Sequence, residues 1–234
     1  MIIENFERVE KKYLLTKSEY EKILSDLSEY IKPDIHPDSK ICNIYFDTDK
    51  DDTIISSLEK PKYKEKVRLR SYIVPDMDSQ VFLEIKKKYK GVVGKRRIAF
   101  KLSDFYKYMK GEKNLDVNKQ ILNEIDYTIK TKNLKPKIFI AYDRKSYDAL
   151  NEPDLRITFD YKIRSRRDDL RLEMGDAGSL YFKDDMYIMD IKTLNNYPLW
   201  LTRILSKNNI YETSFSKYGK IYANEQIKEE KVYV

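Results

Sequence analysis

The chain has one cysteine, one histidine and six glycines in 234 residues. A lone Cys42 excludes an internal disulfide framework and a cysteine-based zinc site. His36, between Pro33 and Pro37, reads as a surface-loop residue, and one histidine makes no metal site. Few glycines, with seven prolines, exclude collagen-like, linker and low-complexity segments. No apolar run approaches the length of a transmembrane helix, and the opening Met-Ile-Ile-Glu-Asn has none of the parts of a signal peptide. A soluble, cytoplasmic protein is expected. Nothing resembles Ser-His-Asp or Cys-His spacing, which excludes nucleophilic acyl chemistry of that kind. No internal repeat is visible.

What the chain does have is aromatic and charged residues. Hydrophobic residues make up 41%, aromatics 13%, with 20 tyrosines, so the composition is that of a folded chain with a core. A single domain over residues 1–234 is expected. Lysine and arginine number 46 against 39 acids, a net charge of +7. That balance suits an anionic partner without requiring nucleic acid.

The charges follow strand periodicity. In Lys66-Val67-Arg68-Leu69-Arg70 the three cations share one face and the two aliphatics the other. Phe82-Leu83-Glu84-Ile85-Lys86 repeats the alternation, with Glu84 and Lys86 on one face. A solvated strand face and the wall of a cavity both fit these two stretches. The same alternation recurs through the chain, around Arg8, Glu10 and Lys12, around Lys95 and Arg97, at Arg144, at Arg156 and Asp160, and at Asp190 and Lys192. About eight strands are expected, with helices between them, and apolar faces packed on those helices would turn the charges into the interior of a barrel. So many like charges in one space need an anion, and a chain of phosphates offers acceptor oxygens to arginine forks and lysine ammoniums. The acids among them, Glu10, Glu84, Asp160 and Asp190, fit a hard divalent cation such as Mg²⁺ or Mn²⁺ bridging carboxylate and phosphate. Arg164, Arg166, Arg167 and Arg171 read as an exposed basic segment that draws polyanions in.

Taken in order, Arg8-x-Glu10-x-Lys12-Tyr13, Arg68-x-Arg70, Glu84-x-Lys86, Lys95-Arg96-Arg97, Tyr142-x-Arg144, Arg156-Ile157-x-x-Asp160, Asp190-Ile191-Lys192 and Ser216-Lys217-Tyr218 resemble the VTC domain. This is the polyphosphate polymerase domain of the vacuolar transporter chaperone family, one of the triphosphate tunnel metalloenzymes alongside the CYTH proteins. The resemblance covers about Glu7 to Tyr222. It implies an α+β fold, an eight-stranded antiparallel β-barrel tunnel with flanking helices. It implies ATP and inorganic polyphosphate as partners, Mn²⁺ or Mg²⁺ as cofactor, and transfer of the γ-phosphate to a growing chain. By position it makes Lys12, Arg68, Arg70 and Lys86 the catalytic cations, and Arg8, Lys95, Arg97, Arg144, Arg156 and Lys192 further phosphate-binding residues. Ser216 and Lys217 stand where the family has a C-terminal phosphate clamp. Asp190 stands where it commonly has a metal-binding glutamate, one methylene longer, and Ser214 where the eukaryotic members carry a lysine. A stand-alone version without a regulatory domain is the expectation. Two other readings stay open: a metal-dependent triphosphatase in the same tunnel, with water as acceptor, and a non-catalytic binder of polyphosphate or RNA. No RNA-recognition motif with paired stacking aromatics is present.

Overall fold

The computed structural model describes residues 9–59, 61–90, 92–112, 117–194 and 196–232. In chain order these form β1 (Val9–Thr16), α1 (Lys17–Leu27), β2 (Ile31–Asp47), α2 (Asp52–Leu58), β3 (Tyr63–Ser71), β4 (Gln80–Tyr89), β5 (Val92–Lys101), α3 (Leu102–Met109) and α4 (Lys119–Thr131). There follow β6 (Lys135–Ala149), β7 (Arg156–Arg166), β8 (Ser179–Leu180), β9 (Met186–Thr193), α5 (Leu199–Lys207) and α6 (Lys217–Val232). The strands are hydrogen-bonded in the order β1-β9-β7-β6-β2-β3-β4-β5, with β8 on β7. The α+β class expected from the sequence, a mostly antiparallel sheet with flanking helices, is the one found.

Two details of that expectation differ. Among the described residues the strands number nine because the Asp176-Ala177-Gly178 turn brings Ser179–Leu180 back to pair with β7. The strand order runs from β1 to β5, so among the described residues hydrogen bonds do not close the sheet into a barrel. Each end has its own cover. The outer edge of β1 is met by Thr213, whose N–H donates to the Lys12 carbonyl at 2.7 Å. β5 carries Lys95, Arg96 and Arg97, charges of the kind that blunt an edge against further pairing. The stretch holding His36, read from sequence as a surface loop, is part of β2, where Pro33 and Pro37 are accommodated in a largely exposed extension.

The chain divides into two compact units. The first comprises the described residues within Met1–Ser39, Tyr142–Ile163 and Leu180–Ser216. Its apolar strand face is Tyr13 and Leu15 of β1, Met189 and Ile191 of β9, and Ile157 and Phe159 of β7. α1 and α5 cover this face with Tyr20, Ile23, Leu27, Leu201, Ile204 and Leu205. α1 starts where it does because Thr16 and Glu19 form a capping box: Thr16 N–H donates to the Glu19 carboxylate at 2.7 Å, and Glu19 N–H to Thr16 Oγ1 at 3.3 Å. Tyr20, Ile23 and Leu27 then fall on one helical face. Tyr20 stacks on Tyr187 at 4.0 Å and meets the edge of Phe159 at 5.0 Å.

The second unit comprises the described residues within Lys40–Ala141, Arg164–Ser179 and Lys217–Val234. Ile44, Phe46, Val67, Leu69, Leu83, Ile85, Ile98 and Phe100 make its apolar strand face, covered by Phe105 of α3 and Leu122 and Ile125 of α4. Each fully buried aliphatic of this kind stabilises the fold by about 1.5–3 kcal/mol. In both units the helices take the apolar face, and strand geometry sends the alternate, polar residues to the other.

Gly178 has a specific reason to be glycine. A Cβ there would lie 2.6 Å from the Ser165 carbonyl oxygen and 2.8 Å from its carbon. Both atoms are backbone of β7 and cannot swing away. Gly178→Ala is therefore expected to cost about 1–3 kcal/mol, read as a lower midpoint in thermal unfolding; an unchanged midpoint would show that the turn yields.

Candidate functional site

The polar face of the second unit is built by register. Tyr45, Arg68, Glu84 and Arg97 stand directly opposite one another across β2, β3, β4 and β5. The next row toward the β4–β5 hairpin is Lys66, Lys86 and Lys95, and the row after it pairs Lys64 with Lys88. In the other direction Asn43 faces Arg70 and Phe82. Two unit charges about 5 Å apart repel by roughly 3 kcal/mol at an effective dielectric of 20 and by under about 1 in bulk water. These rows therefore need negative charge from somewhere.

Glu84 supplies it inside the protein. Its side chain is 1% exposed. One carboxylate oxygen accepts from Arg68 Nε at 2.8 Å and lies 2.7 Å from Nη2. Lys95 Nζ is 2.5 Å from the other oxygen, and Arg70 Nε is 4.0 Å from the first. Burial pushes the carboxyl up, but Arg68, Arg70 and Lys95 outweigh it and hold Glu84 down at about 2. Burial, with Arg68 and Arg70, lowers the Lys95 ammonium against the pull of Glu84, and burial lowers Lys66, where Lys64, Lys86 and Arg68 add to the effect against Tyr45.

Two further side chains orient the arginines. The buried Asn43 accepts from Arg70 Nε at 2.9 Å through Oδ1 and donates to the Ile140 carbonyl at 3.0 Å through Nδ2. Arg68 Nη1 donates to the Tyr45 hydroxyl at 3.2 Å, and its guanidinium lies 5.8 Å over the Tyr45 ring. Burial raises the Tyr45 phenol, but Arg68, Arg70 and Lys66 bring it down to about 8. Arg97 stacks over the Phe82 ring at 4.7 Å.

The polar face of the first unit mixes both signs. Glu10, Lys192 and Arg156 form one row across β1, β9 and β7, and Lys12, Asp190 and Thr158 the next. Asp190 Oδ2 pairs with Lys192 at 3.0 Å and Lys12 at 3.5 Å. Asp190 Oδ1 and Thr158 Oγ1 are buried and have no hydrogen-bond partner among the described residues. Lys12 also bonds Glu10. Burial lowers the Lys12 ammonium, yet Asp190 and Glu10 together raise it. Arg144 grips Asp160 with a two-pronged pair, Nε to Oδ1 at 2.6 Å and Nη2 to Oδ2 at 2.9 Å. Arg156 is about half exposed and pairs with Asp34.

Of the residues singled out from sequence, Arg68, Arg70, Lys86, Lys95, Arg97 and Glu84 share the second unit's polar face, and Lys12, Glu10, Asp190, Lys192, Asp160 and Arg156 the first unit's. Arg144 joins the latter through Asp160. Arg8 lies outside the described residues. Ser216 is exposed and Lys217 opens α6. Among the described residues no three His, Cys, Asp or Glu side chains gather as a metal cluster. Asn43, Tyr45 and Thr158 carry no charge and so escape a search for alternating cations and acids. Their parity on the strands, odd on β2 and even on β7, is the signal that places them on the charged faces.

Arg164, Arg166 and Arg167 correct the expectation of a solvated basic segment, while Arg171 is exposed as expected. Arg164 is buried, donates to the Asp176 carbonyl at 2.7 Å and pairs with the Asp176 carboxylate, which Lys40 also meets at 2.8 Å. Arg166 lies 3.6 Å over the Phe139 ring and donates to the carbonyls of Ala177 and Arg171 at 2.7 and 2.9 Å. Arg167 pairs with Glu225 of α6 at 2.6 Å. Their donors go to a turn and a helix. Tyr218 likewise donates to the buried Asp47 at 2.9 Å, and Asp47 accepts the first N–H groups of α2, from Thr53 and Ile54.

Fold and faces define a class: a mostly antiparallel α+β protein whose strands present dense cationic rows held by buried carboxylates. Comparison with known proteins gives the family. The model of the VTC domain matches residues 7–225, and the chain belongs to that family. It is 24% identical over 154 residues to the vacuolar transporter chaperone complex subunit 4 of Schizosaccharomyces pombe. That match spans 56% of this chain and 21% of the relative. A solved structure described as a "putative adenylate cyclase" from Vibrio parahaemolyticus is similar in fold, at a TM-score of 0.50 and 9% identity, over 92% of this chain and 97% of that one. The PH1819 protein from Pyrococcus horikoshii aligns over 93% of this chain and 99% of that one, at a TM-score of 0.47 and 13% identity.

Two outcomes are expected from this electrostatics. Tyr45, at about 8 in the free protein, should show tyrosinate absorbance just above that pH. Tripolyphosphate neutralising Arg68 and Arg70 should drive it back toward the ordinary tyrosine value of about 10, erasing the signal with proton uptake. Tyr45→Phe should lack the change, and a signal indifferent to the anion would disprove the coupling. Glu84, held at about 2 against 4.5, contributes stability that is full above about 4.5 and lost as pH falls through about 2. The difference is worth roughly 3 kcal/mol. Glu84→Gln should unfold more easily at neutral pH and show a flatter acid limb in denaturant titrations.

Proposed function

We propose that this chain is a polyphosphate polymerase, transferring the γ-phosphate of ATP to a growing inorganic polyphosphate chain. The observation that carries the reading is the row of Arg68, Glu84 and Arg97 beside Arg70 and Lys95, where one buried carboxylate aligns several cations on one strand face. Membership of the VTC family supports it. Phosphoryl transfer asks little covalent chemistry of a protein and much positioning and charge stabilisation. A terminal oxygen of the chain attacks the γ-phosphorus, the bond from that phosphorus to the β–γ bridging oxygen breaks, and ADP leaves with the electron pair. Arg68, Arg70, Lys86, Lys95 and Arg97 would bind and orient phosphate oxygens on their face, and Lys12, Arg144 and Lys192 on theirs. Ser216 and Lys217 would contribute further phosphate contacts. The positively charged guanidinium and ammonium groups stabilise negative charge that shifts to the leaving oxygen.

Asp190 is the acid that best fits Mn²⁺ or Mg²⁺. Its buried Oδ1 has no hydrogen-bond partner among the described residues, and the Thr158 hydroxyl opposite is in the same state. Such a cation takes few protein ligands when phosphates and water supply the rest, and when bound it would neutralise phosphate charge. Glu10, one row away on β1, would assist, while Glu84 and Asp160 act chiefly as anchors for Arg68 and Arg144. No helix among the described residues is long and apolar enough to cross a membrane, and a cytoplasmic location is part of the proposal.

Purified protein with ATP and Mn²⁺ should yield ADP and long phosphate chains on a gel, and chelation should abolish both. Arg68→Ala and Asp190→Asn should each lower kcat by ~10²-fold or more, the usual loss for a group that stabilises transition-state charge. Orthophosphate without chains would replace the polymerase reading with a triphosphatase. No nucleotide turnover with any divalent metal would sink both and leave a binder.

A further inference from the structure

The helix-covered face of β3, β4 and β5 does not end where its cover does. Its apolar residues give way, toward the β4–β5 hairpin, to a row of Glu65, Lys87 and Gly94. There Glu65 pairs at 2.6 Å with Lys132, which ends α4, and Lys87 pairs at 2.8 Å with Glu124 of α4. One row further out the face turns apolar again. Tyr63, Tyr89 and Val92 stand directly opposite one another, 45, 55 and 55% exposed. Val93, exposed on the reverse face, lies opposite Lys88. The Lys90 N–H donates to the Lys62 carbonyl at 2.8 Å, which ties the start of β3 to the end of the hairpin. Lys62, Lys88 and Lys90 are exposed beside these side chains, and Lys90 Nζ lies 5.4 Å over the Tyr89 ring. No acid occurs in residues 61–64 or 88–93. Exposed apolar residues on a soluble surface are ordinarily scattered singly, so a contiguous group ringed by one sign of charge marks an interaction site.

We infer that this hairpin end is a docking surface for an anionic lipid bilayer, with Tyr63, Tyr89, Val92 and Val93 entering the headgroup region and Lys62, Lys88 and Lys90 meeting the lipid phosphates. The residue types fit that occupant. Tyrosine settles at the boundary of water and lipid, and lysine lays its methylenes on apolar surface while its ammonium stays at the headgroups. Shallow apolar insertion and basic residues add to one another at an anionic surface. Other occupants fit less well. A second copy brings the same lysines together, and the roughly 400 Å² these four side chains expose falls short of the about 800 Å² each partner gives up in a stable protein complex. Stacking of nucleic-acid bases uses aromatic faces, and half of this group is valine. The inference stands apart from the polyphosphate chemistry, because none of its residues belongs to the proposed phosphate-binding set.

The test is sedimentation of the full chain with vesicles of equal parts phosphatidylglycerol and phosphatidylcholine, beside vesicles of phosphatidylcholine alone. The chain should bind the first at least about tenfold more tightly than the second. Tyr89→Ser/Val92→Ser keeps every charge and should weaken that binding by about tenfold or more. Lys62→Gln/Lys90→Gln should weaken it by a similar factor, whereas Lys62→Arg/Lys90→Arg should keep it. All three variants should melt with the parent chain, since the altered side chains are exposed. Cys42 is buried, so a polarity-sensitive fluorophore attached to Val93→Cys reports on the hairpin end itself. Its emission should brighten and shift to the blue on the anionic vesicles. No binding to either vesicle would overturn the inference. So would binding that survives Tyr89→Ser/Val92→Ser or leaves the fluorophore in water, because the protein then adsorbs through another cationic surface. Dimerisation, or single-stranded RNA binding, that takes the place of vesicle binding and is lost in Tyr89→Ser/Val92→Ser would overturn the choice of a bilayer.

Discussion

The Glu84 carboxylate is the interaction on which the second unit's charged face depends. A sheet face that carries Lys64, Lys66, Arg68, Arg70, Lys86, Lys88, Lys95 and Arg97 on three adjacent strands repels itself. Glu84 lies in the middle, 1% exposed, within 2.5–4.0 Å of Lys95, Arg68 and Arg70. Breaking a buried pair of this kind by removing one partner costs about 3–5 kcal/mol, since the remaining charge is stranded. The acid also fixes where the arginines point. Asn43 does the same for Arg70 through a single hydrogen bond, itself anchored on the Ile140 carbonyl. A preset guanidinium loses less freedom when an oxyanion arrives, which is how a protein turns folding energy into binding energy.

The first unit solves the same problem differently. Its charged face has nearly balanced signs: Asp190 between Lys12 and Lys192, Asp160 gripped by Arg144, Glu10 on Lys12. Asp190 commits only one of its two oxygens. In the proposed function the surplus of cations would serve phosphate oxygens, and the half-committed carboxylate would serve a divalent cation. The helices make both possible, because they pack on the apolar faces of the strands in each unit and leave the opposite faces to the charged residues.

Much of this is legible in the order of residues alone. The period of two in Lys66–Arg70 and Phe82–Lys86 puts Arg68, Arg70, Glu84 and Lys86 on one face, and the register places them so. What is not legible depends on partners distant in sequence. Arg164 and Arg166 read as a solvated basic run, yet their donors are taken by the carbonyls and carboxylate of a turn that sequence pattern alone does not fold back. Tyr45 and Asn43 sit in a strand whose apolar residues dominate the pattern, so parity places them on the charged face but only their bonds to Arg68 and Arg70 give their role. His36, between Pro33 and Pro37, reads as a loop residue, whereas an exposed strand extension holds all three. The ends of the sheet, at β1 and β5, follow from long-range order that periodicity cannot supply.

The central claim is that these cationic rows exist to hold a phosphate chain. Thermal unfolding with increasing tripolyphosphate, against sodium chloride at matched ionic strength, tests it most directly. Selective binding to the folded state raises stability by about 2.7 kcal/mol at a hundredfold excess over Kd, so the midpoint should climb with tripolyphosphate and keep climbing logarithmically, while chloride leaves it nearly level. Equal behaviour in the two salts would contradict the account.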